Sequence, residues 1–137
     1  MNKPLPEVTP INERYWRSLR EAAVLVFQSC ACGHRWLPPR RFCPRCLGDG
    51  WRWIESSGSG FVVSWVVYRT AYHESFSGEL PYNVTMVELD EGPRLITNIV
   101  ECPDGSRLAA GARVTLAVQY EQGFPLARFR LAGDATT

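Results

Sequence analysis

A cluster of cysteines constrains this chain more than any other feature. Four of its five cysteines fall within 17 residues. Cys43-Pro-Arg-Cys46 has the two-residue gap of a metal-binding knuckle, and Gly48 is available for the turn that closes it. The cluster predicts a small zinc ribbon whose metal is structural, because four thiolates leave no coordination position open. The predicted ligands are Cys30, Cys32, Cys43 and Cys46.

The first cysteine pair, Cys30-Ala-Cys32, is one residue shorter than usual and is followed at once by Gly33. Two alternatives to the four-thiolate site therefore stay open. Either His34 replaces one cysteine as a ligand, or the site has degenerated and binds metal through three cysteines or not at all. A module of this size has almost no apolar core, so metal would supply most of its folding free energy.

The cysteine count also predicts a reducing, cytoplasmic compartment. The number is odd, and knuckle spacing is typical of metal-binding thiolates rather than disulfides. No secretion signal follows Met1, and the apolar run at residues 22–27 is far too short to span a bilayer. We therefore expect no membrane partner.

The charges are distributed unevenly. Residues 1–55 carry nine basic and five acidic side chains, whereas residues 56–137 carry six and nine. Fourteen of the 15 basic residues are arginines. Arginine favours bidentate contacts with carboxylates or phosphates, although a GC-rich genome would produce the same bias. The basic cluster around the ribbon suits coenzyme A phosphates, nucleic acid or an acidic protein.

Residues 10–22 are predicted to form an amphipathic helix. Thr9-Pro10 fits an N-cap followed by proline at the first helical position. The apolar face must cover the β domain or contact another chain, and the pattern does not decide between these roles. This face consists of Ile11, Tyr15, Trp16 and Leu19.

Beyond a hinge-like turn at residues 56–60, the pattern is β throughout. Short turns favour a small Greek-key barrel of the OB type over a flat sandwich. The predicted fold class is mostly β, with an N-terminal α-helix, a small zinc ribbon and a five-stranded OB-type β-barrel. The expected boundaries are 1–23 for the arm and helix, 24–55 for the ribbon, 56–132 for the barrel and 133–137 for a disordered tail. The barrel strands are predicted at 61–68, 82–89, 94–100, 114–119 and 126–131.

The chain is poorly equipped to be an enzyme by itself, and we predict no catalytic residues. His73 lies beside Glu74, which would permit acid–base chemistry, but common catalytic and phosphate-binding motifs are missing. Cys102 has no histidine partner in the sequence and is expected to be a small buried side chain. A single-stranded nucleic-acid-binding protein is the alternative function, because ribbon and barrel are rich in Arg and Trp. The acidic barrel argues against it.

The chain resembles the family of small acyl-CoA-associated proteins that join an N-terminal helix, a rubredoxin-like zinc ribbon and an OB barrel, long catalogued as a domain of unknown function. The resemblance covers roughly residues 11–132 and rests on the order and spacing of several short stretches. The short first cysteine pair departs from the family pattern. The matching stretches are Tyr15-Trp16 with Leu19, Cys30 to Gly33, Pro38 to Cys46, Ser57 to Gly60, Phe76 to Tyr82, Val87 to Leu95 and Pro125 to Arg130.

The resemblance implies a non-catalytic subunit of a thiolase-superfamily acyl-CoA enzyme. Family members assemble with acyl-CoA thiolases, acetyltransferases or thiolase-like aldolases of sterol side-chain degradation, and some relatives accompany hydratase-type hot-dog domains. The catalytic Cys and His would then lie on the thiolase chain. The small subunit would stabilise that chain and help to shape the channel for the coenzyme A thioester.

Two further sets of residues follow from this implied role. The helix and ribbon are expected to dock on the partner, and the loop at residues 70–82 is expected to face the substrate channel. The channel candidates are Tyr72, His73, Phe76 and Tyr82. The partner-interface candidates are Tyr15, Trp16, Leu19, Arg40 and Arg41.

Overall fold

The computed structural model describes residues 6–69 and 81–132, so three of the channel candidates, Tyr72, His73 and Phe76, and the predicted tail lie outside the described residues. The described part contains one helix and two antiparallel sheets, and this confirms the mostly β fold class. The elements are α1 (Glu13–Ala22), β1 (Val26–Cys30), β2 (Arg35–Trp36), β3 (Trp51–Glu55), β4 (Ser59–Tyr68), β5 (Tyr82–Leu89), β6 (Arg94–Thr97), β7 (Arg113–Glu121) and β8 (Phe124–Leu131).

Helix α1 begins at Glu13, three residues later than the sequence predicted. The preceding turn is closed by two reciprocal hydrogen bonds. The Thr9 N–H donates to Asn12 Oδ1 at 2.7 Å, and the Asn12 N–H donates to Thr9 Oγ1 at 3.3 Å. These bonds order the turn before the helix. The N-cap is Asn12, without a side-chain capping bond, so the prediction of Thr9 as the N-cap is wrong.

The apolar face of α1 covers the barrel. Leu19 is fully buried and Tyr15 is nearly so, in one cluster with Val62, Val87 and Phe129. The contact with a partner that we predicted for Tyr15 and Leu19 is therefore not available to these side chains, because they already fill the core of their own chain. Ile11 and Trp16, which are half-buried, extend this face towards the surface.

The ribbon is a three-stranded sheet in the order β2-β1-β3. Its arm between the cysteine pairs is fixed by Gln28, whose side chain is fully buried. The Gln28 amide donates to the Arg40 carbonyl oxygen, and its Oε1 accepts the Arg40 N–H, both at 2.7 Å. The side chain thus pairs with the arm as a strand would, which compensates for the very short β2.

The second sheet has the order β6-β5-β4-β7-β8 and is nearly closed by a parallel bridge between Ile99 and Phe129. This arrangement confirms the five-stranded OB-type barrel. The glycine-rich turn at residues 56–60 was expected to lie outside any strand, yet β4 begins at Ser59. Gly60 is needed within the strand because a Cβ there would lie 2.4 Å from the Glu88 carbonyl oxygen.

Glu91, in the turn between β5 and β6, ties the ribbon to the barrel. Its carboxylate accepts hydrogen bonds from Ser56 Oγ at 2.9 Å and from the Ser57 N–H at 2.8 Å. Its carbonyl oxygen accepts a bond from the Arg35 guanidinium at 3.2 Å. The connection at residues 56–57 is therefore held in place rather than free to act as a hinge. Within the described residues, no helix is long and apolar enough to cross a membrane.

Candidate metal centre and surrounding surfaces

The four predicted thiols converge at the tip of the ribbon, with all four Sγ atoms within 4.8 Å of one another. Cys30 and Cys46 lie 3.5 Å apart, and Cys32 and Cys43 lie 3.7 Å apart, measured between sulfurs. In a tetrahedral site with metal–sulfur bonds of about 2.3 Å, the sulfurs are separated by about 3.8 Å. The cluster can therefore hold a metal ion, and the short first pair does not prevent it.

The short first pair can join the thiol cluster because it lies in the turn of the β1–β2 hairpin. Cys30 ends β1, and its N–H donates to the His34 carbonyl oxygen at 2.8 Å. Gly33 adopts a φ of 98° and donates its N–H to the Cys30 carbonyl oxygen at 2.8 Å. Because Cys30 is the last residue of a strand, the hairpin turn accommodates a gap of one residue where a knuckle usually has two.

The second pair forms a regular knuckle. Cys43 Sγ accepts the N–H groups of Arg45 at 3.4 Å and of Cys46 at 3.5 Å. The position with positive φ after this pair is Leu47, at 64°, rather than Gly48 as the sequence suggested. Leu47 is 73% exposed, so its side chain has room despite a backbone conformation that usually favours glycine.

The electrostatics of the cluster favour a thiolate at Cys43. Burial raises the pKa of this thiol, but the N–H groups of Cys46 and Arg45 and the neighbouring thiols outweigh burial and lower its pKa to about 7. Thiolates are the form of cysteine that binds metals. His34, the alternative ligand, is not a member of the cluster, because its ring stacks on Trp36 with centroids 5.6 Å apart.

Two tryptophans on β3 connect the metal centre to the barrel. Trp51 packs against the small ribbon cluster, and its indole N–H donates to the Arg41 carbonyl oxygen at 2.7 Å. Trp53 packs against the barrel core, and the two rings meet edge to face with centroids 5.4 Å apart. The geometry at the cysteines is therefore coupled to the barrel through side-chain packing.

The interface candidates of the ribbon lie on its surface. Arg40 and Arg41 are exposed, and the Arg41 guanidinium lies 5.6 Å from the centroid of the Phe42 ring. Phe42 is 50% exposed and lies near the exposed Leu47 in sequence. This part of the chain presents apolar groups among arginines, with Asp49 as the only acid between residues 22 and 54.

Tyr82 is the one channel candidate within the described residues. It begins β5, stacks on Tyr68 with centroids 5.2 Å apart, and lines a cavity of about 180 Å³ together with Asn83 and Asn98. The cavity lies where β5 meets the segment after β6. Its size suits a small group or the end of a longer chain rather than a whole ligand.

Asn83 was missed by the sequence analysis. It is 1% exposed, and its amide donates to the carbonyl oxygens of Ile99 at 2.9 Å and Cys102 at 3.1 Å. Its Oδ1 accepts the Ile99 N–H at 2.8 Å. Asn83 thus holds the segment that bridges to β8. The period-two pattern of β5, which places Asn83 on the same face as Val87, could have identified it.

A longer apolar groove was also missed. It has a volume of about 340 Å³ and runs between α1, the ribbon arm and the ends of β6 and β8, with Trp16, Leu37 and Leu126 among its lining residues. The Trp16 indole N–H is buried and has no partner among the described residues. Sequence patterns could not reveal the groove, because four separate segments form it.

Comparison with known proteins identifies the family. Residues 53–119 match the family described as "ChsH2, C-terminal OB-fold domain". A DUF35 domain-containing scaffold protein of Methanothermobacter thermautotrophicus is 33% identical over 113 residues, which cover 80% of this chain and 84% of that protein. The chain belongs to the DUF35 family. These are the acyl-CoA-associated OB-fold proteins that the sequence motifs resemble.

Two further relatives carry enzyme names. The solved structure of an Ltp2-ChsH2(DUF35) aldolase matches this DUF35 protein with a TM-score of 0.79 and 32% identity, covering 94% of this chain and 100% of the other. A probable enoyl-CoA hydratase alpha subunit of Thermomonospora curvata is 34% identical over 98 residues. That match covers 72% of this chain but only 30% of the hydratase subunit.

Proposed function

We propose that this chain is a non-catalytic subunit of a thiolase-superfamily acyl-CoA enzyme complex that cleaves or forms C–C bonds by thiolysis or aldol chemistry. The observation that carries the proposal is the full-length likeness to the DUF35 chain of the Ltp2-ChsH2 aldolase. The likeness to DUF35 scaffold proteins supports an assembling role rather than a catalytic one.

The described side chains agree with an auxiliary role. The ring of His34 stacks on Trp36, and the Cys102 thiol is buried and accepts the Arg107 N–H at 3.3 Å. Neither group is arranged as a nucleophile with its base. The catalytic cysteine and histidine would belong to the thiolase-type partner, and this chain would stabilise that partner.

The metal in this proposal is a structural Zn²⁺ held by Cys30, Cys32, Cys43 and Cys46. The sulfur separations fit a tetrahedral zinc site, and four protein ligands leave no place for substrate. Bound zinc would cross-link the two cysteine pairs and hold the arm between them, with Arg40 and Arg41, in position for the partner. Trp16 is the helix residue that remains available to join this interface.

The acyl-CoA channel would be shared between the partner and the β4–β5 side of this chain. Tyr82 lines the cavity beside Asn98 and is the described residue that we assign to the channel wall. The coenzyme A thioester would then be a ligand of the complex rather than of this subunit alone.

Co-expression of this chain with a thiolase-type protein whose gene lies beside its own tests the proposal. We expect a stable hetero-oligomer in size-exclusion chromatography and a rate of C–C bond cleavage in the acyl-CoA substrate that falls at least about tenfold when this chain is omitted. Tyr82→Ala should lower the rate without releasing the partner, whereas Tyr120→Ala, on an exposed ring of β7, is the matched control. A monomer that leaves the thiolase activity unchanged would overturn the proposal.

The rival function, binding of single-stranded nucleic acid, draws on the exposed Phe42 and the arginines around it. It requires affinity for oligonucleotides that falls steeply with salt concentration. A fluorescence titration with labelled single-stranded DNA and RNA at low ionic strength separates the two functions. We expect a flat titration, because the barrel surface is rich in carboxylates.

A further inference from the structure

Strand β6 is a free edge of the barrel over most of its length. It pairs with β5 on one side, where Met86 lies opposite Ile96. On its other side, β6 contacts β8 at its end, where the Thr97 hydroxyl donates to the Ala127 carbonyl oxygen at 2.7 Å, and just beyond the strand, where a parallel bridge joins Ile99 and Phe129. The apolar groove described above runs along the part of β6 that lies before this bridge.

The backbone of this edge points into the groove. The Leu89 N–H donates to the Pro93 carbonyl oxygen, so odd-numbered residues of β6 bond to β5. On the opposite side, the Phe129 N–H donates to the Asn98 carbonyl oxygen and the Val100 N–H to the Phe129 carbonyl oxygen. By the same alternation, the N–H and C=O of Ile96 face the groove. No hydrogen bond between described residues joins them to β8.

The edge has two chemically different ends. Beside Ile96, which is 61% exposed, the groove is apolar and includes Leu37 and the unpartnered indole of Trp16. Beside Arg94, a second groove of about 370 Å³ is lined by Arg35 and Arg40. Leu37 lines both grooves, so the two form one track along β6.

The second groove carries positive charge that no described residue neutralises. Arg40 forms no ion pair with another described residue, and the one acceptor of Arg35 in this part of the chain is the carbonyl oxygen of Glu91. Arg94 is paired with Glu88 at 2.9 Å, and its side chain is 56% exposed. A carboxylate placed here would meet two guanidinium groups that have no carboxylate partner within residues 6–69 and 81–132.

We propose that the free edge of β6 binds an extended segment of a partner protein by strand addition. The segment would pair its backbone with Ile96, place one or more carboxylates at Arg35 and Arg40, and lay apolar side chains against Leu37 and Trp16. Unpaired strand edges readily accept another strand, and alternating side chains provide specificity. The inference rests on the proposed function only for the identity of the partner. The charged and apolar residues along the track define which kind of segment can bind.

Synthetic peptides test the proposal without the partner. The probes are fluorescein-labelled heptapeptides of the type Asp-Glu-Thr-Val-Thr-Leu-Thr, in this order and reversed, added to the full chain and followed by anisotropy. We expect one of the two orders to bind at least about tenfold more tightly than its counterpart with lysines in place of the acids. In a ¹H–¹⁵N correlation spectrum, the Ile96 amide should move and its hydrogen exchange should slow.

Two variants separate the backbone and charge contributions. Ile96→Pro removes the outward N–H, which makes no bond to β5, so pairing between β5 and β6 is kept. Ile96→Val keeps the N–H and is the control. Arg40→Glu reverses the charge in the cationic groove, and Arg52→Glu makes the same change on β3, at the opposite edge of the ribbon sheet. We expect Ile96→Pro and Arg40→Glu each to weaken binding about tenfold or more, with both controls within about twofold of the natural chain.

Several outcomes would overturn the proposal. Equal binding of acidic and basic peptides, or full binding by Arg40→Glu, would remove the charge complementarity. A concentration-dependent dimer that Ile96→Pro abolishes would assign the edge to a second copy of this chain, and peptide binding only after deletion of residues 1–5 would assign it to the chain itself. If the thiolase-type partner co-purifies equally with Ile96→Pro and Arg40→Glu, the edge is not its docking site, while the proposed function stands.

Discussion

The ribbon and the barrel are both antiparallel sheets, but different forces hold them together. In the barrel, Val62, Val87 and Phe129 are fully buried in one continuous core that includes the face of α1. In the ribbon, the buried cluster consists of Cys30, Trp36 and Cys43, with Trp51 packed against it. Ordering the backbone costs about 1–2 kcal/mol per residue, which so small a cluster cannot offset. The ribbon must therefore depend on its thiols, and the barrel on apolar burial.

Loss of a thiol ligand should have the largest effect, and it should unfold the ribbon but not the barrel. Structural zinc provides about 10–16 kcal/mol of apparent binding free energy in small zinc-binding peptides. We therefore expect Cys43→Ser to unfold the ribbon around residues 30–50 and to leave β4 and β5 folded. Hydrogen exchange should show lost protection in the ribbon alone, and metal analysis should show lost zinc. Cys102→Ser, in the barrel core, is the control that should keep its zinc; loss of protection in both regions of Cys43→Ser would contradict the comparison.

A cavity in the barrel should produce the opposite result. Phe129 is fully buried, and Phe129→Ala should lower the free energy of unfolding by about 3–5 kcal/mol, through lost burial and the cavity that remains. Urea denaturation measures the change, and zinc content below the transition should be unaffected. Tyr120→Ala, on a side chain that is 53% exposed, should stay within about 0.5 kcal/mol. Equal destabilisation by the two variants would show that burial of Phe129 does not stabilise the barrel core.

A smaller effect is expected at the polar contact that closes the barrel. Asn83→Ala leaves the Ile99 N–H and the Ile99 and Cys102 carbonyl oxygens without their partner. The free energy of unfolding should fall by about 1–3 kcal/mol. Thr85→Val, which removes only the bond from Thr85 Oγ1 to Asn83 Oδ1, should cost less. Thermal unfolding followed by circular dichroism compares them, and the reverse order would refute this role of Asn83.

The smallest effect concerns pH. Hydrogen bonds from Arg113, at 2.7 and 2.9 Å, and its charge lower the pKa of Asp90 below the usual range. Because the pKa is lower in the folded chain, this pair stabilises the fold above the unfolded value of about 3.9, and the contribution is lost as the pH falls through the folded value. Both side chains are about half exposed, so the effect is small. Arg113→Gln should lower Tm at neutral pH but not in acid, whereas Arg130→Gln should change neither.

Local patterns made much of the barrel predictable. The strand at residues 82–89 was predicted with the bounds that β5 has, and the other barrel strands were off by one to three residues at their ends. Alternation of side chains along a strand depends on the chain itself, so it can be read without knowing the neighbours. The errors arose at Glu13, Leu47 and Ser59, where a hydrogen-bonded turn, a backbone conformation or a close strand contact decided the outcome.

The sequence by itself determined the set of four thiols and the positions of the strands along the chain, because ligand chemistry and side-chain alternation are local properties. Only the tertiary structure decided that Leu19 is buried against the barrel, and that the short Cys30–Cys32 pair is completed by a strand end. The free edge at Ile96 likewise exists only because backbone pairing with β8 begins no earlier than Asn98. Such features depend on which distant segments come together, and one-dimensional spacing does not contain that information.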